Sequence, residues 1–332
     1  MHHYATKDYI ADEKTSGSIV RIMGRIQVLA IAGVGRSGST LLEKILGQHP
    51  DFFPIGEFAM LWGEMNHNFL CNCGKSFFDC AFWTQVFEQA SGGFDGIEAD
   101  EILRIRQSVD RNYYIPLIRN PALRSKGYQK KLSRFVEVLS NIYSSISELS
   151  GPKIILDSSK SPAYFHILSL VPGVELTIIH LVRDSRAVAY SWQKKKRMTY
   201  SIDREQYIEQ QGAAEAAIKW AAKNVVANTL KPIAKNYIFV RYEDFATNPE
   251  KITAHILGKI GKKTDEVDKL MRGSMTPMET HGILGNPTPR AQKQGLTIQK
   301  DTEWHEKLPQ LDKSIVTFLT LPLLAKYGYL SE

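Results

Sequence analysis

The segment Gly33-Val-Gly-Arg36-Ser37-Gly38-Ser39-Thr40-Leu41 joins an apolar, β-rich run, Ile26–Ala32, to an amphipathic helical pattern, Thr40–Leu46. Glycines at a tight strand-to-helix turn let backbone N–H groups converge, and the helix N-terminus adds about half a positive charge. Such a turn stabilises an anion. Arg36 supplies a cation there, and Ser37, Ser39 and Thr40 supply hydroxyl donors. A second pattern of the same kind runs from Leu176–Val182 through Arg183-Asp-Ser-Arg186 into Ala187–Lys196. Arg183 falls at the carboxyl end of its strand, the edge where open α/β sheets bind ligands. Ser191 lies about two helical turns further on and can face the same side. Two cationic strand ends imply one ligand with two separated anionic groups.

The elements that must position these residues are also readable. Four short apolar runs, Ile26–Ala32, Ile154–Asp157, Leu176–Val182 and Tyr237–Arg241, have the length and β-branched content of strands buried on both faces. Helical patterns lie between them at Thr40–Leu46, Lys131–Leu149, Ser185–Lys196 and Glu205–Leu230, the last closed by Pro232. This alternation predicts an α/β fold: a central parallel sheet with helices on both faces and right-handed crossovers. Two stretches break it, Glu57–Lys130 and Met275–Leu308, and loops of that length are usually lids or binding segments. The expected organisation is an N-terminal extension at 1–25 and a single domain at 26–330. An insertion at about 58–130 is expected between the first two sheet strands.

Composition narrows the classes. Among 332 residues, 43% are hydrophobic, which excludes global disorder, and 42 Lys+Arg against 35 Asp+Glu give a net charge of +7, which fits an anionic ligand. No run approaches the ~18 apolar residues of a membrane span, and Met1–Lys14 carries no apolar signal segment. Three cysteines are odd in number and too few for a disulfide framework, so a reducing cytoplasm is expected. No helix-turn-helix or stacking motif supports a nucleic-acid partner.

Set against the nucleotide-triphosphatase pattern G-x-x-x-x-G-K-[ST], the loop offers Gly33, Gly38, Ser39 in place of Lys, then Thr40. That Lys neutralises the β- and γ-phosphates, so its absence argues against triphosphate hydrolysis. A nucleotide or small-molecule kinase, or an NTPase with a degenerate P-loop, is the alternative reading.

Together the two segments resemble the sulfotransferases that use 3′-phosphoadenosine 5′-phosphosulfate (PAPS). Arg36-Ser-Gly-Ser-Thr-Leu41 is similar to that family's 5′-phosphosulfate loop. Leu181-Val-Arg183-Asp-Ser-Arg186-Ala-Val-Ala-Tyr-Ser191-Trp192 is similar to its 3′-phosphate motif, in which the Arg and the Ser eight residues later hold the phosphate. Further matches follow in order: Gln48-His49-Pro50 with Gly56-Glu57, Leu156-Asp-Ser-Ser-Lys160-Ser-Pro162, Val240-Arg-Tyr242-Glu-Asp244-Phe, and Gly285-Asn-Pro-Thr-Pro-Arg290 with Gly295 and Trp304. The loop has Arg36 where the aryl and steroid branch has Lys, and that branch's catalytic His has no counterpart. The resemblance is therefore to the carbohydrate- and protein-tyrosine-type branch, in a soluble bacterial-type form without a membrane anchor.

The resemblance implies a P-loop NTPase-like three-layer fold and sulfuryl transfer from PAPS to a hydroxyl acceptor, with adenosine 3′,5′-bisphosphate as product and no metal required. Glu57 is expected as general base, with Arg36 and Lys160 as transition-state cations. Ser37, Gly38, Ser39, Thr40 and Leu41 would cradle the phosphosulfate, and Arg183 and Ser191 the 3′-phosphate. Arg290 and Gly295 belong to a cofactor-covering loop, and Tyr242 either touches the adenine or packs. The apolar run Phe52–Ile55 is expected to raise the pKa of Glu57. A carbohydrate, glycolipid or small hydroxylated metabolite would be framed by residues 58–130 and 193–215; the oligomeric state is unread.

Cys71, Cys73 and Cys80, with His67 four residues before the first, form a possible zinc set of three thiols and one imidazole. The C-x-C spacing is tighter than usual, so packed or surface thiols are the expectation, with a disulfide or a structural metal as the alternatives. The run Lys194-Lys-Lys-Arg197 is expected to complement a helix C-terminus rather than bind nucleic acid or an acidic glycan.

Overall fold

The computed structural model describes residues 25–198, 200–203, 205–265, 267–271, 280–285 and 301–330. The predicted strand runs appear as β1 (Ile26–Gly33), β3 (Ile154–Lys160), β4 (Val174–Val182) and β7 (Asn236–Arg241). A further strand, β2 (Phe52–Gly56), joins them, and β5 (Lys196–Arg197) pairs with β6 (Tyr207–Ile208) in a separate two-stranded ribbon. The central sheet has the order β2-β3-β1-β4-β7, and all its neighbours are parallel. Pro54 lies in β2, at the sheet edge where a missing N–H does least harm.

Side chains alternate across the sheet as strand geometry requires. From β1, Val28, Ala30 and Ala32 pack with Phe135, Leu139 and Ile142 of the helix Lys126–Ser150. Leu29 and Ile31 pack instead with Leu42, Ile45 and Leu46 of the helix Ser39–Leu46 and with Ile256 and Leu257. Both faces are thus covered by helices, in three layers.

The parallel arrangement brings every carboxyl end to one edge. The glycine loop follows β1, Glu57 follows β2, Lys160 ends β3, Arg183 follows β4 and Tyr242 follows β7. Each of the five strands of the central sheet hands one candidate group to the same rim.

Several boundaries differ from expectation. Residues 58–130 follow the second strand rather than the first, because Phe52–Gly56 is itself a strand. This stretch is packed, with helices Ala81–Ser91, Ala99–Val109 and Ile115–Arg119 and an aromatic cluster in which Phe69 stacks on Phe77 at 4.7 Å. The helix from Ser185 stops at Gln193, and Ala213–Ala227 replaces the longer span from Glu205 because β5 and β6 occupy the intervening chain. In the basic run, Lys194 pairs with Glu303 at 2.7 Å while Lys196 and Arg197 lie in the ribbon. Among the described residues, no helix is long and apolar enough to cross a membrane. Residues 1–24 of the expected extension, Arg290 and Gly295 lie outside the described residues.

Candidate active site

The loop after β1 is shaped by its neighbours. Gly33 has φ 144°, and a Cβ there would sit 2.3 Å from the Leu181 carbonyl oxygen of β4. Gly38 has φ 89°, and its Cβ would meet the Tyr242 ring at 2.4 Å. Tyr242 therefore packs directly against the loop. Arg36, although not glycine, has φ 71°, a conformation that normally costs about 1–2 kcal/mol and is held here by contacts. Its Nε donates to Ser191 Oγ at 3.0 Å. Ser37 is buried with no hydrogen-bond partner for Oγ among the described residues. Gly38 caps the helix Ser39–Leu46 without a side-chain acceptor, leaving the first-turn N–H groups for another partner.

Arg183 adjoins this loop. Its Nη1 donates to the Arg36 carbonyl at 3.1 Å, its Nη2 pairs with Asp301 at 2.9 Å, and its guanidinium stacks 4.7 Å from the Tyr242 ring centroid. Its Nε is buried with no partner among the described residues. Arg186 does something else: it grips Asp184, donates to the Tyr329 carbonyl and stacks on Trp304, so it ties the C-terminal chain to the helix Ser185–Gln193. Burial, then the charge of Arg183, lowers the pKa of Arg36, and Glu57 opposes that shift.

At the other end of the rim, Lys160 Nζ pairs with Glu57 Oε1 at 2.6 Å. Lys160 has φ 59° and also donates to the Ser158 carbonyl at 3.1 Å. The Glu57 amide donates to the Ile283 carbonyl at 2.9 Å, and a Cβ on Gly285 would lie 3.1 Å from Glu57 Oε1. The site gathers cations around a rim that also presents the carboxylates of Glu57 and Asp301, an arrangement suited to a bis-anionic ligand beside a proton acceptor.

A sequence profile described as the sulfotransferase family matches residues 29–266, spanning the loop, Glu57, Lys160, Arg183 and Tyr242. The chain belongs to the sulfotransferase family. It is therefore an enzyme of sulfuryl transfer. No curated protein matches it in sequence. Among solved structures, the sulfotransferase domain of the Synechococcus PCC 7002 olefin synthase is similar at 18% identity and TM-score 0.47, over 92% of this chain and 98% of that one. Sulfotransferase STF9 from Mycobacterium avium is similar at 13% identity and TM-score 0.41, over 91% of this chain and 76% of that one.

In this sulfotransferase two residues matter that sequence reasoning missed. Lys223, on the helix Ala213–Ala227, has its pKa lowered by burial and then by the charge of Lys160, so its own charge is felt at the Glu57–Lys160 pair. Glu43 is buried and accepts from the Gly56 amide at 2.9 Å and from Ser158 Oγ at 2.6 Å. It thereby ties the loop helix to the residue before Glu57 and to the strand that ends in Lys160. The signal was present: Glu43 lies in the stripe Ser39, Leu42, Glu43, Leu46, all buried at i, i+3, i+4, i+7 spacing.

Burial pushes the Glu43 carboxyl up to about 7 from 4.5, against the hydrogen bond from Ser158. Ionisation then opposes folding, so the stability this carboxyl contributes is present below 4.5 and lost as pH rises through about 7. Glu43→Gln keeps an acceptor for the Gly56 amide and does not titrate. Relative to the parent chain, it should gain about 3 kcal/mol of unfolding free energy between pH 5 and pH 8, read by denaturant titration. A pH-independent difference would show that Glu43 does not titrate in this window.

The three thiols are buried and unbridged as expected, but the imidazole beside them is not that of His67. His67 Nδ1 lies 3.8 Å from Asp203, away from the cysteines. The imidazole beside Cys71, Cys73 and Cys80 is that of His281, from the stretch expected as a lid or binding segment.

Proposed function

We propose that the chain transfers a sulfuryl group from PAPS to a hydroxyl acceptor, with Glu57 as general base. The observation that carries this reading is the pair of unpartnered buried donors, Ser37 Oγ and Arg183 Nε, at adjoining strand ends. Other buried polar atoms lack a partner elsewhere among the described residues, but these two lie together at the carboxyl edge of the sheet, where a bound anion would satisfy both. Their chemistry fits the two anionic ends of PAPS. The amides and hydroxyls of Ser37–Thr40 bind the 5′ end, and Arg183 and Ser191 bind the 3′-phosphate, the group that distinguishes this donor from ATP. Tyr242 packs on Gly38 and under Arg183, so its part is to hold both in place.

Bound PAPS supplies an electrophilic sulfur on a phosphate leaving group. Glu57 takes the proton from the acceptor hydroxyl as its oxygen bonds to sulfur and the sulfur–phosphate oxygen bond breaks. Lys160 orients the Glu57 carboxylate and, with Arg36, offsets charge growing on the leaving phosphate. Residues 58–130 and 193–215 supply the acceptor surface.

A thermal-shift titration separates this reading from the kinase alternative. Adenosine 3′,5′-bisphosphate at about a hundred times its Kd should stabilise the chain by about 2.7 kcal/mol without added metal. Stabilisation by ATP-Mg²⁺ and none by the bisphosphate would overturn the PAPS assignment.

A further inference from the structure

The sequence places Cys71, Cys73 and Cys80 within ten residues, but the fourth member of their cluster is 201 residues beyond Cys80. Cys80 Sγ lies 3.3 Å from His281 Nδ1, Cys71 Sγ lies 3.8 Å from the same atom, and Cys73 Sγ is 3.7 Å from Cys80 Sγ. All four ligand atoms fall within 4.8 Å of one another, and the three thiols are buried and unbridged. A tetrahedral zinc with Zn–S near 2.3 Å and Zn–N near 2.0–2.1 Å requires S···S edges of roughly 3.8 Å and S···N edges of roughly 3.5 Å. The three separations quoted sit close to those edges, and the remaining pairs are no more than 4.8 Å apart.

The surroundings are those of a structural site. The Gly74 amide donates to the Cys71 carbonyl and the Cys71 amide to the Lys75 carbonyl, both at 2.9 Å, which curls the chain that carries the first two thiols into a tight turn. Gly74 has φ 87°, which the turn requires and a side chain would resist. Phe82 stacks on the His281 ring at 4.8 Å and 13°, and Trp83 Nε1 donates to the His281 carbonyl at 2.8 Å, fixing the imidazole from outside.

We propose that Cys71, Cys73, Cys80 and His281 bind one zinc ion as a closed structural site. Three thiolates and a neutral imidazole fill all four positions, so the ion has no open place for substrate and takes no part in the transfer chemistry. Binding releases the proton of each thiol. The ion clips residues 280–285 to the insertion and to the free edge of β2. There Ile283 donates to the Ile55 carbonyl at 3.0 Å and accepts from the Glu57 amide at 2.9 Å, while the Asn72 amide donates to the Gly282 carbonyl at 3.0 Å. The same segment walls a cleft of about 170 Å³ shared with Thr40, Lys44, Gln48 and Asn72. A site at the outer edge of the sheet thus fixes the backbone that presents Glu57.

The test uses the full chain, expressed with zinc and purified without chelator. Elemental analysis should find about one zinc per chain, released on titration with a mercurial that captures thiolates. Exchange with Co²⁺ should give the intense visible absorption and thiolate charge-transfer band of tetrahedral cobalt. His281→Ala should alter that spectrum and Cys80→Ser should lower the zinc content at least tenfold, whereas His67→Ala should leave both unchanged. Stripping the metal should lower Tm by roughly 10 °C. A parent chain that holds less than about a tenth of an equivalent of zinc, and gives no tetrahedral cobalt spectrum, overturns the proposal. None of these readouts depends on sulfuryl transfer, so they stand or fall apart from the donor assignment.

Discussion

Glu57→Gln should lower kcat about 10³-fold while leaving the affinity for adenosine 3′,5′-bisphosphate within about twofold of the parent. The amide matches the carboxylate in size and still offers an oxygen to Lys160 Nζ, now 2.6 Å from Glu57 Oε1. It cannot take up a proton. The bisphosphate's proposed contacts lie with Ser37–Thr40, Arg183 and Ser191, which Glu57 does not touch. The split between turnover and binding is therefore the signature to measure, by initial rates with saturating donor and by calorimetry. Lys160→Ala tests whether Glu57 acts only by holding Lys160. If it does, the double variant should be no worse than the worse single one, and the two losses should add if each residue has its own role. Retention of kcat within about fivefold in Glu57→Gln would remove Glu57 as the base.

The fold was legible where local pattern and burial agree. β1, β3, β4 and β7 are runs of β-branched and apolar residues, and each is covered by helices on both faces or joined to strands that are. β2 was hidden because its five residues include Pro54, which demotes a strand in any local reading and is tolerated only at the edge it occupies. The helices of the insertion were hidden by their shortness and by the aromatics Phe77, Trp83, Phe87 and Phe94, whose burial in a shared cluster outweighs weak propensity. Within the site, the loop and the Arg183–Ser191 spacing were legible because each sits on one strand-turn-helix unit. Lys223 and His281 were not, since what matters about them is which distant residues they meet, and Glu43 showed only as a carboxylate in the apolar stripe of its helix. His67 was the nearest imidazole in sequence to the thiols, and His281 is the nearest in space.

Arg183 joins the glycine loop to Asp301, and Arg183→Ala should weaken bisphosphate binding about 100-fold, or about 3 kcal/mol. Its side chain is 8% exposed, so solvent screens a phosphate there only weakly, and the guanidinium can present paired N–H donors. One of those nitrogens pairs with Asp301, a carboxylate about a third exposed that competes for the same cation. Burial acts against the charged form of Asp301, but the hydrogen bond and charge of Arg183 outweigh it and lower its pKa. Asp301→Asn should therefore act in the opposite direction to Arg183→Ala and tighten bisphosphate binding several-fold. Arg183→Lys keeps the charge but loses the planar fork, the stacking on Tyr242 and the reach to the Arg36 carbonyl, so it should recover only part of the loss. Adenosine 5′-monophosphate provides the discriminating control. It lacks the 3′-phosphate, so its weaker binding should be nearly unaffected by Arg183→Ala. An equal loss for both nucleotides would mean that Arg183 supports the loop through Arg36 and Tyr242 and does not touch the 3′-phosphate.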